Sequence, residues 1–331
     1  MPPETSSLGQ STSVADAPSS LESCPVCGAA LNTVIHAGAR DPITLDRFRV
    51  VECSACGVAY TAPRPASLDR YYPQRYRGYG PTVKRILGSL YNARVARWSR
   101  MKSEGGSVLE IGCGPGLMLA AFRRRGWNVL GIERDETMAE KARRETGLDI
   151  LAQPIETLPA DARFDLIIMF HVLEHIGEPV GLLAECRKRL APGGRLIINV
   201  PNFSSWQSKW AGSRWLHLDV PRHLVHFTPE TLGATLERAG LTLLQVSFAS
   251  LEHDPYGWIE SAVSRATGHA NTLTRFLMGL DPAGPRVVFS FVFGALVLPA
   301  ALLVSGISWL ARSGALMEAT AVIAEEQGHI R

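Results

Sequence analysis

Val108-Leu-Glu-Ile-Gly112-Cys-Gly114-Pro-Gly116 is the stretch of sequence that decides the fold, because it joins an apolar, acid-bearing strand to three alternate glycines. Such glycines let the backbone leave a buried strand sharply and lie close against a bulky ligand. The dinucleotide fingerprint G-x-G-x-x-G fails, since leucine stands where its third glycine should be, and no Gly-Lys-Ser/Thr follows as in a Walker loop. The stretch therefore predicts a turn for a nucleoside without phosphates, the alternative being an ordinary tight strand-to-helix turn.

A second acid follows about 20 residues later, where Asn128-Val-Leu-Gly-Ile-Glu133 ends in a position typical of a ribose-binding carboxylate. At these residues the chain resembles the class I S-adenosylmethionine-dependent methyltransferases, whose E-x-G-x-G-x-G loop faces the methionine part of the cofactor. The resemblance implies S-adenosylmethionine as the cofactor. The cofactor-binding set that we predict comprises Glu110, Gly112, Cys113, Gly114, Gly116, Glu133, Glu156 and His171.

Strand and helix patterns alternate through the middle of the chain. Residues 164–170 read as a buried parallel strand, and residues 190–201 as a helix end, a glycine turn and a further strand. Helical stretches are predicted around 117–125, 135–146 and 178–190. The alternation predicts an α/β fold with a doubly wound, mostly parallel Rossmann-like sheet. The resemblance covers residues 105–250 and implies an antiparallel terminal strand near 316–325.

Two cysteine pairs stand before this region, Cys24-Pro-Val-Cys27-Gly and Cys53-Ser-Ala-Cys56-Gly. Each C-x-x-C-G knuckle points two thiolates at one centre, and two knuckles complete a tetrahedral set. We therefore predict a structural Zn²⁺ in a small N-terminal zinc ribbon, rather than two unrelated cysteine pairs. The chain lacks a signal peptide, which favours a cytoplasmic location and reduced cysteines.

The candidate catalytic residues follow the fourth and fifth strands, because ligands of open α/β sheets bind beyond the carboxyl ends of the strands. His171-Val-Leu-Glu174-His175 comes first, and His223 lies in Pro221-Arg-His-Leu-Val-His-Phe-Thr-Pro-Glu230, a phrase that resembles one branch of these methyltransferases. We predict His171 or His223 as the base, oriented by Glu174 and His175; the alternative for each histidine is a cap or core hydrogen bond.

The type of acceptor is narrowed by the family resemblance. The Asn/Asp-Pro-Pro-Tyr-like sequence of amino-group methylases is absent, which leaves an oxygen or carbon acceptor, as in the quinone-biosynthesis O-methyltransferases and sugar C-methyltransferases. Some relatives hold a divalent metal with an E-x-x-E-H version of this segment. Here His171 replaces the first glutamate, so a metal at His171, Glu174 and His175 stays an open question.

Residues 287–311 carry no charge and are long enough to span a bilayer. If the strands on either side share one sheet, however, the segment must enter and leave on the same side. Pro299 suits a bent hairpin that dips into one leaflet or lies along it, while the alternatives are a helical pair over the sheet or a dimer interface.

The segment from Arg64 to Arg100 contains nine basic residues and five tyrosines but a single acid, and such a basic stripe suits anionic lipid, a phosphorylated substrate or RNA. A solvated linker and helix face explains the stripe equally well.

These features predict a cytoplasmic methyltransferase on the inner face of the membrane, acting on a small or lipid-linked acceptor such as a sugar intermediate or a prenylated aromatic. The alternatives are an RNA methyltransferase that uses the zinc ribbon and basic stripe, although a net charge of +3 makes a nucleic-acid partner the weaker case, and a non-catalytic binding scaffold. The predicted regions are a disordered tail (1–20), the zinc ribbon (21–62), a connecting helical segment (63–104), the methyltransferase core (105–250), an apolar helical insertion (251–315) and a final strand with tail (316–331).

Overall fold

The protein is described by a computed structural model that covers residues 23–72, 81–102 and 105–324. The predicted tail 1–20, the part of the basic stripe between residues 73 and 80, and the last seven residues lie outside the described residues.

The described residues form strands and helices in alternation. The strands are β1 Asn32–Arg40, β2 Arg47–Cys53, β3 Ala59–Ala62, β4 Ser107–Ile111, β5 Asn128–Ile132, β6 Ile150–Leu151, β7 Phe164–Phe170, β8 Leu190–Pro201, β9 Val225–His226, β10 Leu241–Ser247 and β11 Leu316–Ile323. The helices are α1 Pro81–Trp98, α2 Leu117–Arg123, α3 Glu136–Thr146, α4 Pro179–Arg189, α5 Trp206–Ala211, α6 Pro229–Arg238, α7 Asp254–Thr267, α8 Thr272–Leu277 and α9 Pro285–Leu310.

Seven strands form the central sheet in the order β10-β11-β8-β7-β4-β5-β6. The strands from β8 to β6 are parallel, whereas β11 runs antiparallel to both β8 and β10. Leu109, Ile167 and Ile198 are completely buried, as expected for strands covered by helices on both faces. The predicted fold class, a Rossmann-like sheet with a reversed terminal strand, is confirmed.

A second sheet of four antiparallel strands has the order β1-β2-β3-β9. Its last strand belongs to the histidine-rich phrase of the core, with Ala59 opposite His226 and Tyr60 opposite Val225. Cys24 and Tyr60 share one hydrophobic cluster with residues of the central sheet. The N-terminal module is therefore built into the core, a connection that the sequence analysis did not predict.

The apolar segment forms one continuous helix, α9, so the predicted bent hairpin is wrong. Pro299 lies inside this helix. Its neighbours Leu298 and Ala300 are good helix formers, and no turn-forming residue adjoins it. The return to the sheet is made by the preceding helices instead. The indole nitrogen of Trp309, near the end of α9, donates a hydrogen bond of 2.5 Å to the carboxylate of Asp254 at the start of α7.

Helix α9 packs with its small side chains inward and its large ones outward. Ser290, Gly294 and Ser305 are among its buried residues, whereas Leu296 is 74% exposed and Leu310 is 88% exposed. Only 22% of the most apolar 18-residue stretch of this helix is buried. A core helix buries its leucines, so this helix has an outer apolar face that the described residues leave uncovered.

Candidate active site

The glycine loop leaves β4 in conformations that favour glycine. Gly112, Gly114 and Gly116 have φ angles of 70°, 50° and 71°. A Cβ on Gly112 would lie 2.5 Å from a methyl of Val172, whereas a Cβ on Gly114 would meet no atom within 4 Å. Gly112 is thus needed for packing, and Gly114 faces open space where a ligand can approach the backbone.

Glu133 follows β5, and its carboxylate is held against the glycine loop. One oxygen accepts from the Gly114 amide at 2.9 Å, and the other accepts from the Asp135 amide at 3.1 Å. A carboxylate at this position is the group that accepts both hydroxyls of a ribose. The position fits the predicted role of Glu133.

Glu110 lies within β4, directly before the loop. Its side chain is buried, and one of its oxygens has no hydrogen-bond partner among the described residues. Burial raises the pKa of Glu110 to about 8. A hydrogen bond from the Leu119 backbone amide opposes this rise, and the charge of Glu133 reinforces it. An orphaned buried carboxyl of this kind fits a site that receives an amine from a ligand.

Two other members of the predicted cofactor set occupy different surroundings. Cys113 is buried, and a Cβ built on Gly131 would lie 2.7 Å from its sulfur, so the thiol packs between the loop and β5. Glu156 is exposed in a short helical turn, residues 155–157, that follows β6. The cofactor roles of both residues stay predictions.

His171 is the first residue after β7 and has a φ angle of 55°, which is uncommon for a residue with a side chain. Its amide donates to the Asn199 carbonyl at 2.9 Å, and its Nδ1 lies 3.1 Å from a carboxylate oxygen of Glu174. Its Nε2 is buried and has no hydrogen-bond partner among the described residues. The ring lies 4.8 Å from that of His253, measured between centroids.

Glu174 is the buried centre of this site, with only 1% of its side chain exposed. Burial alone raises the pKa of Glu174, but the hydrogen bond from His171 and the charges of His171, His175 and His223 outweigh it and hold the pKa at about 2. The carboxylate is therefore ionised at neutral pH and fixes the orientation of the His171 ring.

His175 and His223 lie on the other side of Glu174, with ring centroids 4.7 Å apart. The Nδ1 of His175 donates to the Arg222 carbonyl at 2.9 Å, and that of His223 donates to the His217 carbonyl at 2.8 Å. Burial, followed by the charge of His223, lowers the pKa of His175 to about 4. Nδ1 of each ring carries a proton because a carbonyl only accepts, and Nε2 of the neutral His175 ring therefore keeps a lone pair.

Ligand atoms of Glu174, His175 and His223 lie within 4.8 Å of one another. Two imidazoles oriented by backbone carbonyls beside a carboxylate form a donor set that a divalent cation accepts. His171, which replaces the first glutamate of the metal-binding version, is not part of this group. The four predicted catalytic residues thus meet at one edge of the sheet, and their roles stay predictions.

Sequence reasoning missed two histidines of the site, His217 and His253. His253 stands before α7 and contacts His171, and the His217 ring lies 6.1 Å from that of His253. Burial lowers the pKa of His217 to about 3 and that of His253 well below its usual value. Neither residue lies in a motif, and only the path of the chain after β8 and β10 brings them here.

The four predicted zinc ligands also converge. All four sulfur atoms lie within 4.8 Å of one another, with 3.6 Å between Cys24 and Cys56 and 3.5 Å between Cys27 and Cys53. Four thiolates around a zinc ion at about 2.3 Å would be roughly 3.8 Å apart. The cluster is therefore compatible with a structural zinc ion.

Part of the predicted basic stripe pairs with acids of the core. Arg94 contacts Glu252 at 2.6 Å and Glu318 at 3.2 Å, and Arg97 also pairs with Glu318. These ion pairs attach α1 to the segment before α7 and to β11. Because Arg94 and Arg97 are paired within the protein, their charges are less available to an external anion.

Comparisons with known proteins agree with this architecture. A family model described as a methyltransferase domain matches residues 83–246. The ubiquinone biosynthesis O-methyltransferase of Xylella fastidiosa is 31% identical over 170 residues, which cover 47% of this chain and 68% of the relative. Its counterpart in Coxiella burnetii is 28% identical over 156 residues, covering 44% of this chain and 67% of the relative.

Among solved structures, a SAM-dependent methyltransferase from Archaeoglobus fulgidus is 21% identical with a TM-score of 0.45, and the match covers 71% of this chain and 93% of that one. The mitomycin 7-O-methyltransferase is 22% identical with a TM-score of 0.40, covering 50% of this chain and 52% of that one. From its glycine loop, its sheet order and its sequence relatives, the chain belongs to the class I S-adenosylmethionine-dependent methyltransferases and is an enzyme of that family.

Proposed function

We propose that this methyltransferase methylates a hydroxyl oxygen of a small or lipid-linked acceptor, with His171 as the base. The observation that carries the proposal is the pairing of His171 Nδ1 with the buried, ionised Glu174, which leaves Nε2 without a partner among the described residues. The names of the sequence relatives support oxygen as the acceptor atom, because both are O-methyltransferases.

The cofactor would be held by Glu110, the glycine loop and Glu133, and it supplies a methyl group on a sulfonium that needs only an aligned nucleophile. Glu174 keeps the proton of His171 on Nδ1, so the lone pair of Nε2 is the one that receives the proton of the acceptor hydroxyl. The negative charge of Glu174 then stabilises the imidazolium that forms. The ring of His253 lies 4.8 Å from that of His171, measured between centroids, so His253 would border the bound acceptor.

A structural zinc ion in the cysteine cluster is part of the proposal. The spacing of the four sulfurs supports it, as does the absence of disulfide bonds among the described cysteines. A purified sample should contain about one zinc per chain, and loss of the metal on substitution of Cys27 would support this assignment.

We also propose that the outer face of α9 lies in one leaflet on the cytoplasmic side of the membrane. Both neighbours of the helical insertion, β10 and β11, pair in one sheet, so the insertion leaves and returns on one side. Arg286 and Arg312 flank the apolar run, where they can meet lipid head groups. A dimer interface is the competing use of this face, and detergent-free sedimentation separates the two.

The experiment for the whole proposal is methyl transfer from labelled cofactor to an envelope extract. We expect label in the organic phase, resistant to nuclease, and a product 14 Da heavier, about one CH₂. The His171→Gln variant should bind the cofactor but transfer label about 10²- to 10⁴-fold more slowly. Label in a nuclease-sensitive fraction would instead establish RNA methylation, and cofactor binding without any transfer would establish a scaffold.

A further inference from the structure

The segment that carries His223 is held by the N-terminal cysteine ribbon, residues 23–62. Strand β3 of the ribbon pairs with β9, which begins two residues after His223. The amide of Thr61 donates to the Leu224 carbonyl at 3.0 Å, and its buried hydroxyl donates to the His223 carbonyl at 2.6 Å. The same hydroxyl lies 3.0 Å from Nε2 of His226, so this histidine of the motif faces the ribbon.

A buried guanidinium makes the second connection. Arg222 is completely buried and donates to Asp41 of the ribbon at 2.8 Å and to the Tyr71 carbonyl at 2.8 Å. Its other edge donates to both oxygens of Asp219, at 3.0 and 2.5 Å. One oxygen of Asp219 lies 3.9 Å from Nε2 of His223. The guanidinium therefore bridges an acid of the ribbon and an acid beside the imidazole.

A buried ion pair of this kind resists displacement, because removal of one partner leaves an uncompensated charge inside the protein. Asp41 has no exposed surface, so solvent does not replace it as a partner of Arg222. The ribbon also contributes Cys24, Cys53 and Tyr60 to the cluster that contains Val225. A change in the cysteine cluster thus reaches the His223 segment through strand pairing, packing and charge.

We propose that the cysteine ribbon fixes the position of His223 in the active site, and that Asp41, Thr61 and Arg222 are its positioning residues. The inference rests on the proposed function for the zinc ion and for the place of His223 in the acceptor site. It assigns the ribbon to the methyl-transfer site itself rather than to a detachable module for binding nucleic acid. The ribbon holds the His223 backbone, and Arg222 holds the carboxylate next to its ring.

The first test is hydrogen–deuterium exchange of the full chain with its metal and after chelation. We expect metal loss to speed exchange at least tenfold in residues 219–226 as well as in the ribbon. Exchange in β4 and β5, and the affinity for S-adenosylhomocysteine, should stay unchanged. If the ribbon opens while residues 219–226 keep their protection, the proposal is wrong. A purified chain that holds no zinc while its ribbon is protected would refute the zinc assignment alone.

The second test uses the imidazole NMR signals of His223, assigned with a His223→Gln variant. Asp41→Asn should shift these signals, and Asp41→Glu should restore them towards their original positions. Glu52→Gln, which neutralises an exposed acid on β2 of the same ribbon, is the matched control and should leave them unchanged. Should Asp41→Asn fail to fold, Thr61→Val against Thr61→Ser makes the same comparison. Unmoved His223 signals in a folded variant would refute the positioning role. Neither test needs the acceptor, so failure of the methyl-transfer assay is distinguishable from failure of this inference.

Discussion

Replacement of Glu110 by glutamine should make the cofactor-free enzyme more stable at neutral pH. Burial raises the pKa of Glu110 from 4.5 to about 8, so between these values the folded protein keeps a proton that the unfolded chain releases. Stability therefore falls as the pH rises through this window, by about 1.4 kcal/mol per pH unit. Glutamine has a similar shape and does not titrate, so it removes this loss.

The size of the expected stability difference follows from the pH range between the two pKa values of Glu110. Between about pH 5 and pH 7.5 the wild-type chain should lose roughly 3 kcal/mol relative to Glu110→Gln. An unfolding entropy of about 2.1 cal/mol/K per residue gives roughly 1.4 °C per kcal/mol for a chain of 331 residues, so the gap in Tm should widen by roughly 4 °C. Differences between the two proteins cancel the other titrating groups, which both chains share.

The assay is thermal unfolding of both proteins across this pH range, without cofactor and with a saturating amount. If Glu110 receives the cofactor's amine, the gap should shrink with cofactor present, because the ionised carboxylate then has a partner. The variant should also bind the cofactor about 10–100 times more weakly, the range for a lost charged hydrogen bond. A gap in Tm that does not change with pH would falsify the assignment of a protonated Glu110.

Three further results are expected. His171→Gln should lower kcat about 10²- to 10⁴-fold and leave cofactor affinity within twofold, as measured by calorimetry; full activity would exclude His171 as the base. Gly112→Ala should weaken or abolish cofactor binding, because its Cβ would lie 2.5 Å from Val172 at a φ of 70°, while Gly193→Ala, whose Cβ meets no atom within 4 Å, is a control with the same backbone angle. Leu296→Glu on the outer face of α9 should lower binding to anionic vesicles about tenfold or more with an unchanged Tm, and co-sedimentation equal to wild type would place this face elsewhere than in lipid.

The central sheet could be predicted because its signals are local. Continuous apolar strands, a glycine turn and intervening helices occur in the order that a parallel sheet requires, and the glycine loop and Glu133 lie where this order places them. His171 and Glu174 are three residues apart after one strand, so their contact also follows from local sequence. Such features depend on few long-range contacts.

The remaining features depend on distant parts of the chain. Strand β9 has two residues, too few for a periodic pattern, so its pairing with β3 had no signal in the sequence. His253 reaches the site because the chain returns to the sheet edge after β10, and nothing in its neighbours marks that return. Pro299 was interpreted as a break, but packing of α9 against α7 and good helix formers on both sides keep the helix continuous.

The position of β11 sets an order of events during synthesis of the protein. This strand lies between β8 and β10, yet it follows both in the chain, after the whole of α9. Residues 285–310 therefore emerge from the ribosome while the facing edges of β8 and β10 are still unpaired. The nascent apolar helix therefore exists before the strand that anchors it, and we expect it to need a covering surface, such as a chaperone or a lipid layer, until the sheet is complete.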